Sequence, residues 1–197
     1  MRTEIVLYEG FEELDTFGPY EVLATAGFAP LLVTLEAVDR VTGAQGAVVV
    51  PHGVCSARPD LLVVPGGGWS TRRAEGAWAQ AQRGALPAAI AARHRAGATI
   101  AGVCTGTMLV AAAGLLLGRP AITHHTALED LAEAGARVIA GARVVDDGDI
   151  VTCAGVTAGI DLALRLVERR FGPAAADAAA DAIEYTRQGA PHAAVTA

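Results

Sequence analysis

Apolar residues in this chain occur at two alternating spacings. Short continuous runs at Glu4-Ile-Val-Leu-Tyr8, Pro30 to Leu35, Asp60-Leu-Leu-Val-Val64 and Ala98 to Val103 predict buried strands. Between and after them lie stretches of helical composition. Leu14 to Ala26 places Leu14, Phe17, Val22 and Leu23 on one face, Gly76 to Ala96 is marked by Pro87 as a kink or boundary, and Thr105 to Leu117 reads as a buried helix. Val41 to Val50, with Gly43 and Gly46 among β-branched residues, predicts a hairpin at the edge of the sheet. Short strands follow near Ala136 to Ile139, Arg143 to Val145 and Ile150 to Cys153, then helices over Thr157 to Arg170 and Ala174 to Thr186. This order predicts an α/β fold, a mostly parallel sheet with helices on both faces, in one domain over residues 1–187 with a frayed tail at 188–197.

Composition narrows the function classes. Hydrophobic residues are 52% and charged residues 18% of 197, a balance that supports a packed core and argues against disorder. The longest apolar stretch, Met108 to Leu117, is broken by Gly114 and is far shorter than the roughly 20 residues of a membrane span. Met1-Arg2-Thr3-Glu4 opens no signal-peptide core, so the expected compartment is the cytoplasm. A formal charge of −6, with basic residues grouped only in pairs such as Arg72-Arg73 and Arg169-Arg170, argues against a nucleic-acid partner. Three cysteines, Cys55, Cys104 and Cys153, without CxxC spacing argue against a disulfide framework or a zinc site. Asp146-Asp147-Gly148-Asp149 reads as a charged hairpin turn and not as a calcium loop, and Gly66-Gly67-Gly68 lacks both nucleotide-binding patterns. No metal or cofactor is expected; the partner is a small-molecule substrate.

The chemistry gathers at one junction. Cys104 lies between the strand ending at Val103 and the helix starting at Thr105, which predicts a tight turn that lifts the thiol above the carboxyl edge of the sheet. Gly102 and Gly106 flank it, as a crowded turn requires. The helix amides beneath are expected to favour the thiolate, and the Gly66-Gly67-Gly68 loop, at the end of a neighbouring strand, is expected to offer amides to an oxyanion. The plainer reading makes Cys104 a small buried hydrophobe, which is the reading adopted for Cys55 and Cys153.

Four blocks in order, Gly10-Phe-Glu-Glu-Leu-Asp15-Thr-Phe-Gly-Pro19, Pro65-Gly66-Gly67, Val103-Cys104-Thr105-Gly106 and Ala121-Ile-Thr-His124-His125, resemble the ThiJ/PfpI superfamily over nearly the whole chain. They are most similar to its isonitrile hydratase branch, and they also occur in the N-terminal half of some AraC-type regulators. The resemblance implies a flavodoxin-like three-layer sandwich, usually a homodimer. It makes Cys104 the nucleophile and Asp15, often glutamate in relatives, the acid beside it. Thr105 stands where amidotransferase-like relatives carry histidine, which weakens a Cys-His dyad. Gly66, Gly67, Thr105 and His124 are the expected oxyanion or substrate-binding residues. Asp15 also suits the first turn of a helix, Glu12 and Glu13 read as solvated, and Trp69 and Trp78 as core or pocket wall. The implied activity is hydration of a small isonitrile, with methylglyoxal chemistry or a cysteine redox sensor as alternatives. A regulator would carry a helix-turn-helix segment after the sandwich, and none is read before Ala197.

Overall fold

A computed structural model describes residues 1–193. The chain forms β1 (Thr3–Val6), α1 (Glu13–Thr25), β2 (Leu31–Thr34), β3 (Val41–Thr42), β4 (Val48–Val49), β5 (Gly53–Val54) and β6 (Leu61–Val64). It continues through α2 (Ala77–Arg83), α3 (Ala85–Arg95), β7 (Thr99–Gly102), α4 (Gly106–Ala112), β8 (Pro120–Ala121), α5 (Leu128–Glu133) and β9 (Arg137–Val138). The last elements are β10 (Val144–Asp146), β11 (Ile150–Cys153), α6 (Ala158–Phe171), α7 (Pro173–Ala182) and β12 (His192–Ala193). The central sheet runs β12-β10-β11-β7-β6-β1-β2-β5, parallel except where β10 meets β11. Helices α1, α6 and α7 pack together against one face, and α2, α3 and α4 against the other. This is the mostly parallel sheet with helices on both faces that the alternating pattern predicts, and the flavodoxin-like sandwich that the resemblance implies. Strands β1, β6 and β11 are buried at every residue, as continuous apolar strands covered on both faces must be.

Several elements differ from the sequence expectation. The Val41–Val50 hairpin is a separate two-stranded sheet, and β5 takes the edge position. Backbone bonds to the β1–α1 loop hold the hairpin there, Gly10 N–H donating to Thr42 and Ala44 N–H to Phe11. Glu13 is not a freely solvated acid, because its Oε1 accepts the N–H groups of Gln45 and Ala47 and fastens the hairpin over the start of α1. The helix expected over 76–96 breaks at Gly84 (φ +77°), and Pro87 sits harmlessly in the first turn of α3. α4 stops at Ala112, ahead of Gly114 (φ +76°). On α1 the buried face is Asp15, Thr16, Gly18, Pro19, Val22 and Leu23, whereas Leu14 and Phe17 are 40% and 37% exposed. Small residues face inward there because α1 packs closely on α6, where a Cβ at Gly159 would stand 3.2 Å from Pro19. The expected strand at 136–139 pairs with β8 outside the central sheet. The fraying expected from residue 188 does not apply to 188–193: Gln188 N–H donates to Asp161, and β12 pairs with β10. Residues 194–197 lie outside the described residues.

What positions the site is the approach of α4 to the end of β6. A Cβ at Gly106 would fall 2.0 Å from the Val64 carbonyl oxygen. Gly106→Ala should therefore destabilise the fold by about 3 kcal/mol, as overpacking does. Gly84→Ala, where a Cβ meets nothing within 4 Å, should cost only the roughly 1–2 kcal/mol of a left-handed non-glycine residue. Urea denaturation of the two variants checks the order; equal losses would contradict it.

Candidate active site

Four segments converge above the carboxyl ends of β6 and β7: the β1–α1 turn, the Pro65-Gly-Gly-Gly68 loop, the Cys104 turn and the loop after β11. Cys104 is held at φ +55°, a left-handed conformation that a side-chain-bearing residue adopts only when its surroundings enforce it. Two bonds anchor its flanks, Val103 N–H to Val64 O at 2.9 Å and Thr123 Oγ1–H to Cys104 O at 2.8 Å. Tyr8 braces the glycine loop, its hydroxyl 2.6 Å from Pro65 O and 2.9 Å from Gly66 O. The resulting cavity of about 330 Å³ is lined by Cys104, Thr105, Gly67, Trp69, His124 and Val156, with Glu12 and the hairpin residues Ala44 and Gln45 at its rim.

Asp15, fully buried in the first turn of α1, lies beside the thiol. Its Oδ2 accepts Gly66 N–H at 2.9 Å, while Oδ1 is buried without a hydrogen-bond partner among the described residues. Burial pushes the Asp15 carboxyl well above the usual carboxylate range, against the opposing Gly66 amide. Burial also pushes the Cys104 thiol up to about 12, with the Asp15 charge adding to the rise; the Val156 and Thr105 amides act in the opposite direction. The expected low thiol pKa is thus corrected. Desolvation outweighs the amides, and the two acids compete for one site of negative charge.

The glycine loop needs a second correction. Gly66 N–H is committed to Asp15 and Gly67 N–H to Thr105 Oγ1 at 3.0 Å, so neither amide faces an oxyanion. Both glycines are required for packing instead, since a Cβ at Gly66 would meet Thr105 Oγ1 at 2.4 Å and one at Gly67 would meet Gly10 O at 2.4 Å. Thr105 and His124 line the cavity as expected, and His125 does not. Val156 is the participant the sequence reading missed. It sits at φ +38°, unfavourable for a β-branched residue, with its N–H directed at the sulfur. No local signal marks it, because its role depends on where β11 ends relative to β7. Glu12 lines the cavity, and burial raises its pKa. Cys153 is wholly buried, and Cys55 is also buried, held by Glu4 and Arg93 away from the cavity. Trp69 packs edge-to-face on Trp78 and forms cavity wall. Among the described residues no helix is long and apolar enough to cross a membrane.

Comparison with known proteins agrees with this fold. The DJ-1/PfpI family model matches residues 1–169. The chain is 32% identical to isonitrile hydratase from Pseudomonas putida, over 94% of this chain and 78% of that protein. It is 24% identical to glutathione-independent glyoxalase DJR-1.2 from Caenorhabditis elegans, over 84% and 86%. The crystal structure of a ThiJ/PfpI family protein from Pseudomonas syringae superposes with a TM-score of 0.83 at 30% identity, covering 95% of this chain and 76% of that one.

The proton competition makes a signed prediction. Asp15→Asn removes the charge that opposes the thiolate, so the Cys104 pKa should fall below its value of about 12. The pH profile of iodoacetamide alkylation should show its midpoint moving down; an upward shift would contradict the pairing.

Proposed function

The chain belongs to the DJ-1/PfpI family, and from that premise we propose that it is a cofactor-independent hydratase, converting a small isonitrile to an N-substituted formamide. The observation that carries the reading is the buried Asp15 carboxyl beside the Cys104 thiol under a small cavity, a pair suited to act as proton donor and nucleophile. Similarity to isonitrile hydratase across 94% of the chain supports the choice of substrate class.

An isonitrile suits this pair because its terminal carbon takes both a nucleophile and a proton. The Cys104 sulfur bonds to that carbon while Asp15 gives it a proton, yielding a thioimidate, R–N=CH–S. The Asp15 carboxylate then takes one proton from water as the oxygen adds to the same carbon and passes it to the nitrogen, giving R–NH–CH(OH)–S, whose hydroxyl proton returns to Asp15 on collapse. Collapse of the tetrahedral adduct breaks the C–S bond, and the formamide leaves with the thiolate restored to the shared proton. The sum is one isonitrile and one water to one formamide, with no redox change. A raised Asp15 pKa fits this cycle, because the carboxyl must hold a proton near neutral pH before it can give it up.

Methylglyoxal chemistry is the second reading, supported by similarity to the Caenorhabditis elegans glyoxalase. There Cys104 would add to the aldehyde as a hemithioacetal, Asp15 would move a proton between adjacent carbons to give a lactoyl thioester on the sulfur, and water would cleave its C–S bond, releasing lactate and the thiol. We further infer a cytoplasmic homodimer, on the family expectation.

Incubation with an alkyl isonitrile and, separately, with methylglyoxal distinguishes the readings. Formamide should form with the wild type and vanish with Cys104→Ala. Asp15→Asn should lose at least about a hundredfold in kcat, the scale of general acid–base assistance. Lactate without formamide would overturn the hydratase in favour of the glyoxalase, and full turnover by Cys104→Ala would overturn both.

A further inference from the structure

A second cavity, of about 280 Å³, adjoins the first along α4. Met108, Ala111 and Ala112, spaced to share one face of that helix, line it together with Trp78 and Arg72. The Cys104 turn leads into the same helix, so the two spaces lie side by side on α4. Among the described residues, Trp69 is the one residue that borders both. It is buried and clamped. Its Nε1–H donates to Asp130 Oδ2, and its ring meets Trp78 edge-to-face at 5.1 Å between centroids. Arg72, in a left-handed conformation at φ +49°, closes the clamp from outside. Its guanidinium lies 3.7 Å from the centre of the Trp78 ring, and its Nη2 donates to the same Asp130 oxygen at 3.1 Å. The Trp69 indole cannot swing aside without giving up both the Asp130 bond and the Trp78 contact. Behind it, the alanines of α4 leave open space that a larger side chain would fill.

We propose that Trp69 is a specificity-determining residue: it confines the side group of a substrate bonded to Cys104 to the first cavity and bars bulky aryl groups from the apolar pocket along α4. Asp130 and Arg72 are positioning residues that hold the indole in place. Applied to isonitriles, this rests on the hydratase reading and narrows the substrate class to small alkyl isonitriles. The size limit at the thiol does not rest on that reading.

Alkylation of Cys104 by two reagents of different size tests the limit without any substrate. The quantity read is the rate with N-(naphthylmethyl)iodoacetamide divided by the rate with iodoacetamide, a ratio in which any change of thiol reactivity common to both reagents cancels. Trp69→Ala should raise this ratio about tenfold, the low end of what one hydrophobic pocket discriminates. Trp69→Phe, which keeps an aromatic wall, should leave the ratio near that of the wild type. Adding Ala112→Leu to Trp69→Ala refills the pocket and should bring the ratio back down. A ratio that stays put or falls in Trp69→Ala overturns the proposal, and so does one that Ala112→Leu leaves raised. Should Trp69→Ala fail to fold, Asp130→Ala decides: it frees the indole and should raise the ratio too, and an unchanged ratio overturns the proposal. In turnover, Trp69→Ala should raise kcat/KM for 2-naphthyl isonitrile relative to methyl isonitrile. If neither isonitrile is consumed by any variant, the hydratase reading and the named substrate class fall together, while the alkylation ratio still decides the role of Trp69.

Discussion

The end of β6 and the start of α4 touch at backbone distance. Val64 O accepts Val103 N–H, and the α-carbon of Gly106 passes so near this carbonyl that no side chain fits between them. Between these two fixed points the chain has two residues, Cys104 and Thr105, in which to turn from strand to helix, and Cys104 takes the left-handed conformation that results. The holding energy comes from the surrounding turns: Thr123 on the Cys104 carbonyl, Thr105 on Gly67, and Tyr8 on the glycine loop. A left-handed cysteine costs on the order of 1–3 kcal/mol and persists because these contacts over-determine it.

Burial follows from the same approach, and with it the electrostatics. A thiol at an open helix start would ionise easily, but this one is 5% exposed and faces a carboxyl that is fully buried. Burial raises both pKa values first, and the Asp15 charge adds to the rise of the thiol, so the two groups resist ionising together. The glycine loop completes the arrangement by fixing the acid and Thr105. The Gly66 and Gly67 amides are spent on this orientation.

Much of this was legible in the sequence because parallel strands buried on both faces are written as continuous apolar runs, and β1, β2, β6 and β7 were found where those runs fall. Cys104 and Asp15 were legible through ordered blocks, while Gly102 and Gly106 betrayed the crowding that the backbone confirms. Other features depend on tertiary placement and leave no local trace. The hairpin at Val41–Val50 obeys its own pattern, yet its place outside the central sheet was decided by Glu13 and the β1–α1 loop. The exposure of Leu14 and Phe17 reflects the close packing of small residues on the opposite face of α1. A pKa cannot be read from a motif when burial and amides push it in opposite directions, and a glycine N–H that is free in one register is committed in another.

The account turns on a covalent bond between the Cys104 sulfur and the isonitrile carbon, and mass spectrometry of protein quenched during turnover observes it directly. The account predicts a mass increase equal to one isonitrile, on the peptide containing Cys104 and absent from those containing Cys55 and Cys153. Formamide accumulating with no adduct on Cys104, or with the adduct on another cysteine, would contradict it.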